Sequence, residues 1–167
     1  FYQFWLNTAD ENVIDYLKIF SLLTLEEIEA CRLEFEANPG TRSAQKKLAA
    51  AITEIVHGTE TTKAAIEVSE ILFGSESLNT VSTSAKTILL ENAPQTKVTP
   101  GQLIVDVLVE STLASSKREA RTFIESGAIV INETKITDVE AVLASEHFMD
   151  GLALLRRGKK NVHLLRI

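Results

Sequence analysis

The strongest constraint on this chain is a change in its hydrophobic rhythm. Over residues 1–75, apolar side chains recur every three or four positions, the spacing of helices with one buried stripe. Val13, Ile14, Leu17 and Phe20 form the first stripe. Thr24 opens a second helix. Thr24 and Glu27 have capping-box spacing, Leu23 and Ile28 have staple spacing, and Leu25, Ile28, Cys31 and Phe35 follow as the stripe. Asn38-Pro39-Gly40 stops that helix. A third helix runs from about Arg42 to His57, with Leu48, Ile52, Ile55 and Val56 inward and Gly58 at its C′ position. A fourth runs from about Glu60 to Phe73, burying Ala64, Val68, Ile71 and Leu72, and Gly74 closes it. Short connections between such helices predict a small helical bundle.

The rhythm fails over residues 76–99, where Ser and Thr are frequent and Pro94 and Pro100 punctuate the chain. This stretch reads as a linker with one short helix near Ala85 to Glu91. Residues 100–167 are mixed. Gln102 to Glu110 reads as an apolar helix. Ser116 and Glu119 repeat the capping-box spacing, opening a helix that ends at Gly127. Ala128 to Asn132 is rich in Ile and Val, as a strand should be; residues 132–135 read as a turn and Ile136 starts the return strand. Leu152 to Arg156 and Asn161 to Arg166 flank Arg157-Gly158-Lys159-Lys160, a hairpin signature. The expected fold class is α+β. A helical domain occupies 1–75, a linker 76–99, and a domain of helices on a small antiparallel sheet 100–167.

Composition excludes several classes. In 167 residues, 45% are apolar and low-complexity tracts are absent, so disorder is not the expected state. The most apolar stretch, Leu103 to Val109, is interrupted by Asp106, so no membrane span is expected. The lone Cys31 excludes an internal disulfide and a cysteine-based zinc site, which suits a reducing compartment. A start at Phe1, with no targeting segment, is expected of a fragment or processed chain.

Catalytic constellations are missing from the sequence. His57, His147 and His163 have no metal-ligand spacing, and no phosphate-binding glycine loop or GxSxG elbow is present. No catalytic and no metal-binding residue is therefore expected. Glu26 and Glu27 read as surface charge, His57 as a partner of a helix C-terminus, and Cys31 as a small core residue. Phe1, Tyr2, Phe4 and Trp5 could stack on bases, but packing is the preferred reading.

The charge pattern carries more information. A net charge of −6 alone argues against a nucleic-acid binder. However, residues 1–99 hold 8 Lys/Arg against 14 Asp/Glu, whereas residues 100–167 hold 9 of each, with the bases bunched. Lys117, Arg118 and Arg121 lie in the first turn and a half of one helix, where cations oppose the helix dipole unless a polyanion is near. Arg156, Arg157, Lys159 and Lys160 crowd the hairpin tip, and Lys135 and Arg166 extend the patch. A solvated loop is the plainer alternative for the tip. Aromatic residues interleave poorly with these bases, which favours structured RNA held by phosphate and shape.

The stretch SKREARTFIESGAIVINETKI, from Ser116 to Ile136, resembles the alpha-L RNA-binding module shared by a small-subunit ribosomal protein, some pseudouridine synthases and bacterial tyrosyl-tRNA synthetases. FYQFWLNTADENVIDYLKIFSLLTLEEIE, AQKKLAAAITEIVHG and LLRRGKKNVHLLRI are similar to the synthetase family in particular. The resemblance implies the C-terminal portion of such an enzyme, an anticodon-binding bundle followed by the alpha-L module. It implies tRNA as partner and a cytoplasmic location. It also implies a homodimeric parent whose catalytic domain, absent from these residues, uses ATP; this portion itself takes no cofactor. Lys117, Arg118 and Arg121 carry over as module contacts, and Arg156, Arg157, Lys159 and Lys160 as backbone contacts. In the acidic bundle, RNA contact would be local, through Arg42, Lys46 and Lys47. Glu133 departs from the family, which often has Gly after Asn in this hairpin; another turn type is expected, with an acid beside Lys135. Two alternatives stand beside this reading: a helical protein-interaction module anchored by Phe1 to Trp5, and another RNA-binding factor of the alpha-L type.

Overall fold

The computed structural model describes residues 1–74, 77–158 and 161–167. It forms two compact units, Phe1–Ser69 and Glu70–Ile167.

The first unit is helical: α1 (Tyr2–Leu6), α2 (Val13–Phe20), α3 (Leu25–Ala37), α4 (Ser43–His57) and most of α5 (Thr59–Phe73). Its core joins Val13 and Leu17 of α2, Ile28, Cys31 and Phe35 of α3, and Ala44, Leu48 and Ile52 of α4. The expected capping box is formed. Glu27 N–H donates to Thr24 Oγ1 (3.2 Å), and Thr24 N–H donates to Glu27 Oε2 (2.8 Å). Four residues of the expected stripes are exposed instead, Phe20 at 46%, Leu25 at 74%, Ile55 at 50% and Val56 at 56%. Each lies in a terminal turn, where the stripe continues past the packed part of the helix. The buried face of α4 also holds a polar group missed by hydrophobic spacing: Gln45 is fully buried and its Nε2 donates to Asp10 Oδ1 (2.6 Å). The opening aromatics divide between roles. Trp5 packs on Tyr16 and Phe20, with centroids 6.3 and 5.4 Å away, and Tyr2 is buried, while Phe4 is exposed.

The second unit carries α6 (Thr83–Asn92), α7 (Ile104–Glu110), α8 (Lys117–Glu125) and five strands: β1 (Gln95–Lys97), β2 (Ile129–Ile131), β3 (Thr134–Ile136), β4 (Leu152–Arg157) and β5 (Asn161–Arg166). The strand order is β1-β5-β4-β2-β3. The class is α+β, with two differences from the sequence reading. The division between units falls within α5, between Ser69 and Glu70. The stretch read as a linker supplies α6 and also β1, which pairs in parallel with β5, so the sheet is mixed. A three-residue polar strand has too little alternation to be recognised. It is held by backbone bonds, among them Leu164 N–H to Pro94 O and Val98 N–H to Arg166 O, both 2.8 Å, with Thr96 Oγ1 also 2.8 Å from His163 Nε2.

Alternation divides the sheet into two faces. Ile129, Ile131, Ile136, Ala153, Leu155 and Leu165 point toward α7 and α8, forming one core with Ile104, Val107, Leu108, Ala120 and Ile124. The opposite face carries Lys135, Val130, Arg156 and Val162 in one cross-strand row. The β2–β3 turn is tighter than expected, only Asn132 and Glu133. Asn132 has φ 53°, whereas Glu133 is not left-handed, so the turn is not the type I′ that Asn-Gly would form. The Asn132 amide fixes this corner, accepting from Leu154 N–H (2.8 Å) and donating to His147 O (2.7 Å).

Candidate nucleic-acid interface

Among the described residues, the cations expected in the alpha-L module lie in the second unit, on α8, β3, β4 and β5. Helix α8 is set by its cap. Ser116 Oγ accepts from Glu119 N–H (3.2 Å), as the spacing predicts. The returning carboxylate reaches one residue further back, accepting from Ser115 N–H (2.6 Å) and Ser115 Oγ (2.7 Å). These bonds, the hydroxyl's first, hold the Glu119 carboxyl below the usual range, and the positive charge of Arg157 adds to the effect.

Glu119 is thus engaged with the cap, and its neighbours are left without it. Arg118 and Arg121 are exposed and, among the described residues, neither pairs with a carboxylate. Lys117 is also exposed, but its Nζ lies 2.7 Å from Asp106 Oδ1. Such surface pairs are worth little and yield to a stronger anion. Ala120 and Ile124 hold the opposite side of α8 against the core, so Arg118 and Arg121 are presented outward.

At the other end of α8, Gly127 adopts φ +68°. The end of the Lys135 side chain lies beside it. Glycine serves the left-handed helix end, which other residues adopt only at a cost. Lys135 is exposed.

The hairpin cations differ from the expected cluster at a free tip. Arg156 and Arg157 belong to β4, paired with Val162 and Asn161, and are half-buried on opposite faces because strand side chains alternate. Arg157 faces α8. Its Nη1 donates to Leu113 O (2.6 Å) and its guanidinium carbon lies 4.8 Å from the Phe123 centroid. Arg156 donates from Nη2 to Ile71 O (2.5 Å), and its Nε is buried without a partner among the described residues. Lys159 and Lys160 lie outside the described residues. Arg166 is exposed at the far end of β5, opposite Lys97 of β1. In the first unit, Arg42 has φ 56° and donates from Nη2 to Leu6 O (2.7 Å), so this candidate is tied to its own fold.

Phe123, Leu113 and Ser115 contact Arg157 or Glu119, which spacing alone did not reveal. Phe123 was legible only as an apolar position, and its contact with Arg157 joins residues 34 positions apart. Among the described residues, no group of three His, Cys, Asp or Glu side chains could hold a metal, and no helix is long and apolar enough to cross a membrane.

Comparison with known proteins gives two family matches in succession. Residues 1–74 match the family of class I tRNA synthetases (W and Y), and residues 85–165 match the tyrosine–tRNA ligase SYY-like C-terminal domain. The chain is 42% identical over 168 residues to the tyrosine–tRNA ligase of Geobacillus kaustophilus, covering 99% of this chain and 40% of that protein. Tyrosine–tRNA ligase 1 of Bacillus subtilis is 41% identical over the same length, with the same coverage. A solution structure of a tyrosyl-tRNA synthetase C-terminal domain aligns at 33% identity with TM-score 0.39, covering 53% of this chain and 90% of that one. The chain spans about 40% of the length of the curated relatives it matches.

Proposed function

Because this chain belongs to the tyrosine–tRNA ligase family and corresponds to its C-terminal portion, we propose that it grips transfer RNA for an enzyme whose catalytic domain lies elsewhere. In this reading the whole protein joins tyrosine to its tRNA using ATP, as a cytoplasmic homodimer associated through that other domain. The second unit contributes positioning. Its cations fix the RNA backbone so that the distant acceptor end reaches the active site.

The observation that carries this reading is the state of Arg118 and Arg121. Arg118 sits in the first turn of α8, where the helix dipole opposes it, Arg121 lies on the same exposed side about one turn further on, and the intervening carboxylate is drawn into the Ser115 cap. A phosphate there satisfies guanidinium and dipole together. Lys117 joins on leaving Asp106, and Lys135 continues the positive surface beside Gly127. Lys159 and Lys160 extend it by sequence. Arg156 and Arg157 contribute charge from within the sheet, with part of their hydrogen-bonding capacity already used.

The test is tRNA binding measured from about 50 to 200 mM salt. Arg118→Ala with Arg121→Ala weakens binding to every tRNA tested and lowers the salt slope by about two, roughly one for each phosphate no longer neutralised. A double variant with the wild-type slope and affinity refutes the assignment.

A further inference from the structure

A cavity of about 350 Å³ opens on the sheet face away from α7 and α8, lined by Leu72, Phe73, Gly74, Val130, Arg156 and Gly158. This is the lower end of the size range of small-molecule sites. All six residues belong to the second unit. The walls are Leu72, Val130 and the half-exposed ring of Phe73. The polar element is Arg156, half-buried and, among the described residues, without a carboxylate partner. Among the described residues, only its Nη2 is engaged, on Ile71 O, and its Nε is shut away from solvent without an acceptor. A guanidinium that is half out of water with one nitrogen left without an acceptor is costly unless an acceptor-rich group comes to it.

Lys135 lies in the same cross-strand row, with Val130 between it and Arg156. Neighbouring strands are about 4.8 Å apart, so the two cationic residues stand roughly 10 Å apart along the row. Together these features require a flat, largely apolar body with acceptors on one edge and negative charge nearby. A bare phosphate meets the guanidinium but gains nothing from Leu72, Phe73 and Val130.

We propose that this cavity receives one unstacked nucleobase of the bound RNA, lying on the apolar walls with its acceptor edge toward the Arg156 guanidinium and its flanking phosphate toward Lys135. The proposal rests on the RNA-binding reading and adds base recognition to a surface otherwise suited to backbone contact. Single-stranded loops and bulges supply such bases, whereas a duplex keeps them stacked.

Two variants of the full 167-residue chain test it. Val130→Trp fills the cavity from a strand position that tolerates large aromatic residues, and Phe73→Ala removes a wall that is 52% exposed, sparing the fold. Affinity is measured for an unmodified tyrosine tRNA and for transcripts carrying a single abasic position, moved in turn through the loops. In the wild type, one abasic position costs about tenfold or more, the scale of one base–aromatic stack. In either variant the intact tRNA binds about tenfold more weakly, that abasic position costs nothing further, and the salt slope stays at the wild-type value. If Phe73→Ala and Val130→Trp both keep the wild-type affinity and the wild-type abasic profile while binding remains salt-sensitive, the base site is refuted and the phosphate grip stands. If the wild type shows no salt-sensitive tRNA binding, the functional reading fails, and the base site with it.

Discussion

Replacing Arg157 separates a cation that touches RNA from one that builds the surface touching it. Arg157→Ala removes the bond from Nη1 to Leu113 O (2.6 Å) and the packing on the Phe123 ring (4.8 Å). A hydrogen bond from a charged donor is worth about 1.5–3 kcal/mol, and a partly desolvated cation–π contact about 0.5–2 kcal/mol. The contributions overlap, so the expected loss is about 2–4 kcal/mol in the second unit. Arg157→Lys keeps the charge but lacks the planar fork that bonds Leu113 and stacks on Phe123, so it loses nearly as much. Arg121→Ala, at an exposed position, stays within about 0.5 kcal/mol of wild type. Urea unfolding followed by far-ultraviolet circular dichroism measures these differences, while fluorescence of the single tryptophan, Trp5, follows the first unit separately. The Trp5 transition is unchanged in all three variants. The reasoning is refuted if Arg157→Ala unfolds like wild type yet weakens tRNA binding as much as Arg121→Ala. Arg157 would then be a phosphate contact, with its bond to the α7–α8 loop incidental.

Thr112 has φ 60°, a left-handed conformation that suits a β-branched residue poorly. Thr112→Gly therefore stabilises the second unit by about 1 kcal/mol, read as a higher urea midpoint; a lower midpoint shows that the Thr112 side chain outweighs its backbone strain. His163 is buried, its Nε2 lies 2.8 Å from Thr96 Oγ1, and desolvation lowers its pKa from 6.5. The unfolded chain then takes up the proton first, so stability is complete above pH 6.5 and declines as pH falls from there toward the lowered folded value. Melting temperatures between pH 8 and 5 show this decline for wild type and a smaller one for His163→Gln; equal declines would place the pH sensitivity elsewhere.

The sequence was informative wherever a feature is local. The Thr24 and Ser116 caps, the left-handed Gly127 and most helix stripes depend on neighbours three or four positions away, and each formed. The interface was only partly legible for the same reason. Arg118 and Arg121 share a helix face by spacing alone, but Arg156 and Arg157 read as a free basic tip because their partners, Ile71 and Leu113, lie 85 and 44 residues away. β1 escaped notice because three polar residues carry no period; only its pairing with β5 makes it a strand.

Amino-acid order by itself determined the helical first half, the α+β second half and the bunching of bases within residues 100–167, because periodicity, capping and composition act over a few neighbouring residues. Tertiary structure alone decided which of those charges are exposed and which are built into the sheet. It also decided which strand closes the sheet edge and where an apolar cavity meets the Arg156 guanidinium. Those outcomes depend on strand register and contacts between distant segments, since a one-residue slip would exchange the faces of Arg156 and Arg157.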